Sequence, residues 1–281
     1  MADTGHHIEQ SLSRLRDLCA GDGDRLDLLE AGFALSTLHA AESLDLVPFR
    51  QHVASMADAV ADLVRRRGPA PEMLAEVIAR AYAYRGDSET YDDLQNADLV
   101  RVIERRKGLP VALSILYLHV ARAQAWQAEG LAFPGHFLIR IGIDGARHVI
   151  DPFHEGSVRD AAELRSLLQQ VLGPDAELQP SHFDPVSDRD VLLRLENNVR
   201  LRLAKREDWV QAARSLDRML AIAPDRADLL FEAGQLNARL DKRRAAIAAY
   251  ERLLGLGEGT SDPELRRRAA ILLQELRRGL N

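Results

Sequence analysis

"HFLIRIGIDGARHVIDPF", residues 136–153, decides the fold class. Apolar residues alternate on both sides of Asp144-Gly145, and an Asp-Gly pair between alternating runs is a strong hairpin signal. Upstream, "PVALSILYLHVARAQAW" (110–126) is apolar nearly all round and too long for a strand. A helix of that kind is normally the buried central element of its domain. Pro110 takes the first helical position, where its missing N–H removes no intrahelical bond. Gly108 breaks off the short helix expected from Asp98 to Lys107. A buried helix followed by antiparallel strands makes an α+β domain.

The hairpin also places chemistry. With a turn of two or four residues, His136 lies opposite Phe153 or Glu155, and Asp151 shares its face. A three-residue turn would part them. A histidine and a carboxylate on neighbouring strands are two members of a nucleophile–histidine–carboxylate triad, in which the carboxylate orients the imidazole. Ser114 is the nearby hydroxyl on the central helix before Tyr117. A serine inside a helix commonly bonds the preceding turn's carbonyl instead. The competing reading of His136 and Asp151 is structural, since buried polar groups must be paired and a satisfied pair fixes packing.

Residues 24–82 carry helical periodicity: Leu28, Leu29, Phe33 and Leu38, then Val53, Met56, Ala57, Val60 and Leu63. "RRRGPAPE" (65–72) reads as a helix stop and restart, with Gly68 beyond a basic last turn. "YRGDSETYDDLQNAD" (84–98) is polar and turn-rich. Residues 158–172 return to helix, and "SHFDPVSD" (181–188) reads as a linker. Residues 1–23, ending in "AGDGD", read as a flexible lead.

The tail changes character. Ala212, Leu216 and Met219 recur as Ala246, Tyr250 and Leu253, each shifted by 34 positions, the period of the tetratricopeptide repeat. Pro224 follows the first set, and Gly234 lies between the sets, where a small residue permits close helix approach. "DPELRRRAAILLQELRRGL" (262–280) reads as a closing amphipathic helix. The domains expected are therefore a lead (1–23), an α+β domain (24–184) and a helical repeat domain (185–281).

Composition excludes several classes. Hydrophobic content of 46% with 28% charged residues is that of a soluble globular chain with a sizeable core. No apolar run reaches the roughly 18 residues of a membrane span. The start, "MADTGHHIEQ", has no signal pattern, so a cytoplasmic protein is expected. One cysteine, Cys19, excludes an intrachain disulfide, and the nine histidines show no metal-ligand spacing. No metal or cofactor is expected. The net charge of −6 is uneven, acidic before Pro185 and mildly basic after it. Without a basic stripe carrying aromatics, nucleic acid is not an expected partner.

"ERRKGLPVALSILYLHVARAQAW", "GLAFPGHFLIRIG" and "HVIDPF" together resemble the SirB-type bacterial transglutaminase-like family. The resemblance covers about residues 25–281 and is strongest from Tyr91 to Gly156. It implies a papain-like transglutaminase core followed by tetratricopeptide repeats. It also implies a superfamily arrangement of Cys at the start of the buried helix, then His and Asp on successive strands, matched here by His136 and Asp151. In this chain the Cys position falls at or beside Pro110, within "KGLPVALS". Proline supplies neither a nucleophile nor an N–H for an oxyanion hole, and the family is regarded as lacking thiol chemistry. Where the family tends to carry Asp-Pro and Asn-Ser, this chain reads "DDLQNADL".

The remaining polar candidates are Glu104, Arg105 and Arg106, with Tyr91 and Asn96, at the mouth of a cleft. Their competing reading is a solvated helix end. Arg194, Asn197 and Leu201 mark the inward face of the first repeat and do not reproduce a carboxylate clamp. Two functions follow as expectations. One is a non-catalytic interaction or regulatory scaffold recruiting a protein through its helical tail. The other is a hydrolase or acyltransferase using His136 and Asp151 with Ser114 or a bound water.

Overall fold

A computed structural model describes residues 2–21, 23, 25–40, 43–257 and 262–278. Its start corrects the expected flexible lead. Ala2–Leu18 form helix α1, which takes in His6 and His7, buries Leu15 completely and leaves Cys19 buried just past its end. A sparse apolar period in a polar segment is enough to pack α1 on α2 (Leu28–His39), and Arg14 reaches Glu30 of α2 at 2.7 Å. Of "AGDGD", Asp22 and Asp24 lie outside the described residues.

Helix α3 (Val47–Arg67) stops where the sequence predicts: Gly68 has a φ of 79° and its N–H bonds Val64 O. Pro71 precedes α4 (Glu72–Leu74), which continues as a π-helix over Ala75–Ala81. After β1 (Arg85–Gly86), a 3-10 turn (Leu94–Ala97) leads to α5 (Leu99–Arg105). The Asp98 carboxylate caps α5, accepting the N–H groups of Val100 and Arg101. The next pair, β2 (Lys107–Gly108), runs parallel to β1, with Arg85 beside Lys107. Pro110 then opens α6 (Pro110–Ala123), in which every residue from Val111 to Leu118 is buried. At about 1.5–3 kcal/mol for each large apolar side chain removed from water, α6 anchors the core.

The sheet has five antiparallel strands: β3 (Gln127–Leu131), β4 (Leu138–Ile143), β5 (Ala146–Asp151), β6 (Ser157–Arg159) and β7 (Pro185–Val186). Their order is β6-β5-β4-β3-β7. The turn between β4 and β5 has two residues, Asp144 and Gly145, both at positive φ (49° and 83°), and Ile143 faces Ala146. The hairpin is therefore in the register that puts Asp151 on the face predicted for His136. Ile139, Ile141 and Ile150 are fully buried on one face. Leu138 and Val149 lie on the other, packed against Leu164 and Leu168 of α7 (Ala161–Leu172).

Two expectations need correction here. Residues 158–172 are not all helix, because Ser157–Arg159 form an edge strand and α7 begins at Ala161. Residues 181–188 are no linker, because β7 pairs with β3 and Asp188 is buried. Its carboxylate accepts both terminal nitrogens of Arg122 and the N–H of Leu26.

The chain divides into two compact units, Met1–Leu195 and Glu196–Asn281, and α8 (Asp188–Lys205) runs through the division. Asp188 thus belongs with the first unit. In the second unit lie α9 (Trp209–Ile222), α10 (Ala227–Arg239), α11 (Arg243–Gly255) and α12 (Pro263–Arg278). The six residues of the 34-position echo are all buried. Gly234 has the predicted packing role: a Cβ there would sit 2.4 Å from the Tyr250 ring. The closing helix forms as expected, burying Ala269 and Leu273 against Tyr250 and Leu253, while Gly279 and Leu280 lie outside the described residues.

Candidate functional site

Asp151 ends β5 and caps the 3-10 turn Pro152–His154. It is buried, and four donors hold its carboxylate. Oδ1 accepts the N–H groups of Phe153 (3.1 Å) and His154 (3.2 Å), while Oδ2 accepts His154 Nδ1 (2.7 Å) and Arg159 Nη2 (3.1 Å). Arg159 continues to Glu163 in the first turn of α7 (3.3 Å). The imidazole bonded to Asp151 is therefore His154, three residues along the same turn.

His136 sits in a bend before β4, shaped by Gly135 at a φ of 71°. Its ring packs edge-on against Phe133, 6.5 Å between centroids. Burial pushes its pKa down, the Asp151 charge opposes this, and His154 and Arg159 add to the depression. Burial thus favours the neutral form of His136, which lies within the electrostatic reach of Asp151 and makes no hydrogen bond among the described residues.

The resemblance sets the nucleophile position at or beside Pro110. Pro110 is the first residue of α6, Leu109 before it supplies no side-chain cap, and the Leu109 N–H bonds Asn96 O at 2.9 Å. Ser114 is fully buried and its Oγ donates to Pro110 O at 2.7 Å. That is the helix-interior geometry of a back-bonded serine, so the hydroxyl proton is committed away from His136. Cys19 lies at the end of α1, where burial pushes its thiol pKa up and keeps it protonated.

The cleft-mouth candidates separate. Glu104 pairs with Arg101 at the solvated end of α5 (2.8 Å). Arg105 does not belong to that solvated end: it donates to Asn96 Oδ1 (2.8 Å) and Asp87 Oδ2 (2.9 Å). Asn96 is fully buried and donates to Thr90 O at 2.7 Å. Asp87 also accepts Thr90 Oγ1 and N–H. Burial disfavours the Asp87 charge. The Thr90 side-chain and backbone bonds, Lys107 and Arg105 outweigh it and hold the carboxyl well below the usual range. This network fixes the polar loop 84–98 to the start of α6. Tyr91 is half exposed and edge-on to Phe153, whose ring lies against Gly86.

The proposed groove residues have separate duties. Arg194 lies over the Phe137 ring at 5.3 Å. In the second unit, Asn197 Oδ1 accepts Arg200, and Leu201 is 52% exposed. Asp87, Thr90, His154 and Arg159 escaped the sequence reading. The "DPFH" run carried a signal for one of them: an Asp before Pro that caps a tight turn brings the residue three places on to its own carboxylate.

The buried helix α6 followed by the antiparallel sheet is the α+β core that the sequence resemblance implies. Residues 49–197 match the transglutaminase-like superfamily. The chain belongs to that superfamily, in its SirB-type bacterial branch. It is 34% identical over 185 residues to a UPF0162 protein of Xylella fastidiosa (strain Temecula1), covering 65% of this chain and just under two thirds (66%) of that protein. The UPF0162 protein PA3419 of Pseudomonas aeruginosa is 30% identical over 247 residues, 86% of this chain and 85% of its own length. F-box only protein 21 of Mus musculus is 33% identical over 169 residues, 56% of this chain and 25% of that protein.

Proposed function

We propose that this chain is a non-catalytic transglutaminase-like protein that acts as an interaction or regulatory scaffold in the cytoplasm. Its tail, read as tetratricopeptide-type repeats, would recruit a protein partner. The observation that carries the reading is the pair Pro110–Ser114: the thiol position that the resemblance implies falls at or beside a proline, and the nearby hydroxyl is buried and bonded to that proline's carbonyl. Helical repeats present faces suited to extended or helical segments, and half-exposed Leu201 is a contact on such a face. The test is affinity capture from bacterial lysate with the full chain and with Leu201→Glu. A partner retained by the wild type and lost by the variant supports the tail as recruiting surface. A partner that both retain removes it.

A second reading, a hydrolase or acyltransferase, draws support from one contact. Asp151 fixes His154 through Nδ1, which leaves Nε2 of a half-exposed imidazole open to a water molecule. Hydrolysis of simple esters or amides that disappears in both Asp151→Asn and His154→Gln would favour it over the scaffold.

A further inference from the structure

A second histidine cluster lies away from Asp151. His52 of α3 meets Tyr82 edge-on, 5.2 Å between ring centroids, and its Nε2 is 3.1 Å from the Tyr84 hydroxyl. The same Nε2 contacts Arg106 Nη1, which also donates to the Tyr84 hydroxyl at 2.6 Å. The Arg106 guanidinium lies over the Tyr84 ring, 4.9 Å from its centroid. Tyr84 is 1% exposed, and burial, opposed by Arg106, raises its pKa to about 12, so the phenol keeps its proton.

Hydrogen-bond inventory fixes the protonation state. A guanidinium nitrogen only donates, so Nε2 of His52 must present its lone pair and the ring proton must sit on Nδ1. The Tyr84 oxygen accepts from Arg106, and its own proton is directed at Nε2. The Arg106 contact on that side of the ring requires a neutral imidazole, and the Tyr84 hydroxyl suits it by donating.

The cluster sits on a structural junction. Arg106 has a left-handed backbone (φ 59°), and its carbonyl accepts the Arg85 N–H at 3.0 Å. That bond starts the β1–β2 bridge, and β2 leads directly into Pro110 of α6. The groups facing His52 are Tyr82 and Tyr84 from the segment after the π-helix and Arg106 from the α5–β2 link. Among the described residues, the one charge acting on the imidazole is that of Arg106, and no carboxylate offsets it.

We propose that His52, Tyr84 and Arg106 form a proton-operated latch, in which protonation of His52 releases Arg106 and loosens the β1–β2 bridge. A proton on Nε2 turns the acceptor into a donor facing Arg106, which can only donate, and sets an imidazolium against a guanidinium. Burial, and then Arg106, lower the His52 pKa. The folded state therefore binds the proton less readily than the unfolded chain. The latch is closed above the free imidazole pKa of about 6.5 and opens as pH falls below it, completely so once the folded pKa is passed. Asp87 stays ionised throughout this range, so its bonds to Thr90 and Arg105 persist and the opening is confined to the side chains of His52, Tyr84 and Arg106 and the Arg85–Arg106 backbone bond.

The test is amide hydrogen exchange of the full chain at pH values of about 7.5 and 5, corrected for the intrinsic pH dependence of exchange. Arg85 and Tyr84 should lose protection at the lower pH. His52→Gln keeps a carbonyl acceptor that does not titrate and should abolish the response; Arg106→Gln, which removes the opposing charge, should weaken it. Unchanged protection of Arg85 in the wild type would overturn the latch, as would the same pH response in either variant. If His52→Gln fails to fold, the His52 ring is titrated in the wild type by NMR. A midpoint below that of free imidazole supports the proposal, and one at or above it overturns the proposal.

Discussion

Asp151 hydrogen-bonds His154, 2.7 Å from Oδ2 to Nδ1, and not His136, although Asp151 stands where the hairpin register predicts. The carboxylate clamps its own turn and, through Arg159, the start of α7. Removing it leaves two backbone N–H groups and a guanidinium without their acceptor. Breaking a buried pair costs about 3–5 kcal/mol, and the solvent around His154 and Arg159 reduces this to about 2–3 kcal/mol. Asp151→Ala should therefore lower the melting temperature by roughly 5–10 °C while partner capture by the folded protein is unchanged. An unaltered melting temperature would remove the structural role of Asp151.

Ser114→Ala tests the proline-led helix from the other side. Among the described residues the hydroxyl bonds only Pro110 O, so its loss should change stability by no more than about 1 kcal/mol. Any biological activity of the chain should survive. A folded Ser114→Ala protein, judged by circular dichroism, that loses activity would restore Ser114 as a candidate nucleophile.

The Asp87 network predicts a pH dependence with a definite sign. Its folded pKa is depressed, so its contribution is fully present above the unfolded carboxylate value of about 3.9 and is lost as pH falls through the folded value. Asp87→Asn should be clearly less stable than wild type near neutrality, and the gap should narrow in urea titrations below about pH 4. A gap constant down to acid pH would mean that charge is not what holds the loop.

The elements legible in the sequence were those whose signals are local. Asp144-Gly145 declares its own turn, Gly68 its helix end, Pro110 its helix start, and the 34-position echo marks buried positions before any packing is known. What escaped depends on partners distant in sequence. "QAEGL" of β3 and the two residues of β7 have no strand signature and become strands only by pairing with each other and with β4. Asp188 reads as a polar linker residue until Arg122, far upstream, is placed beside it. In the site, position was legible and pairing was not. Register placed Asp151 on a face, but the 3-10 turn that follows decided which histidine it holds.

Gly234 offers a prediction whose sign opposes propensity. In an exposed helix interior, Gly→Ala stabilises by about 1 kcal/mol. At position 234 the added methyl meets the Tyr250 ring at 2.4 Å, and that ring belongs to the apolar cluster of the second unit with Leu230, Phe231 and Leu253. Gly234→Ala should destabilise by about 1–3 kcal/mol, whereas Gly255→Ala, with open space around it, should be neutral or slightly stabilising. Thermal melts of both variants decide this, and a stabilising Gly234→Ala would mean that α10 and α11 do not pack as closely as described.

Arg122 and Asp188 give the sharpest test of the first unit's extent. Asp188 is 2% exposed, takes both terminal nitrogens of Arg122 at 2.7 and 2.8 Å, and accepts the Leu26 N–H at 2.8 Å. Arg122 also donates to Ala128 O, so one ion pair joins α6, β3 and the segment before α2. Asp188→Ala leaves a guanidinium and a backbone N–H unsatisfied and should cost about 3–5 kcal/mol. Replacing both partners by apolar residues, Arg122→Met with Asp188→Leu, removes the stranded charge and should recover a large part of that loss. A double-mutant cycle in guanidinium chloride measures the difference. Strong coupling makes residues up to Asp188 part of the transglutaminase-like unit; additive, small effects would return Asp188 to the role of a surface linker.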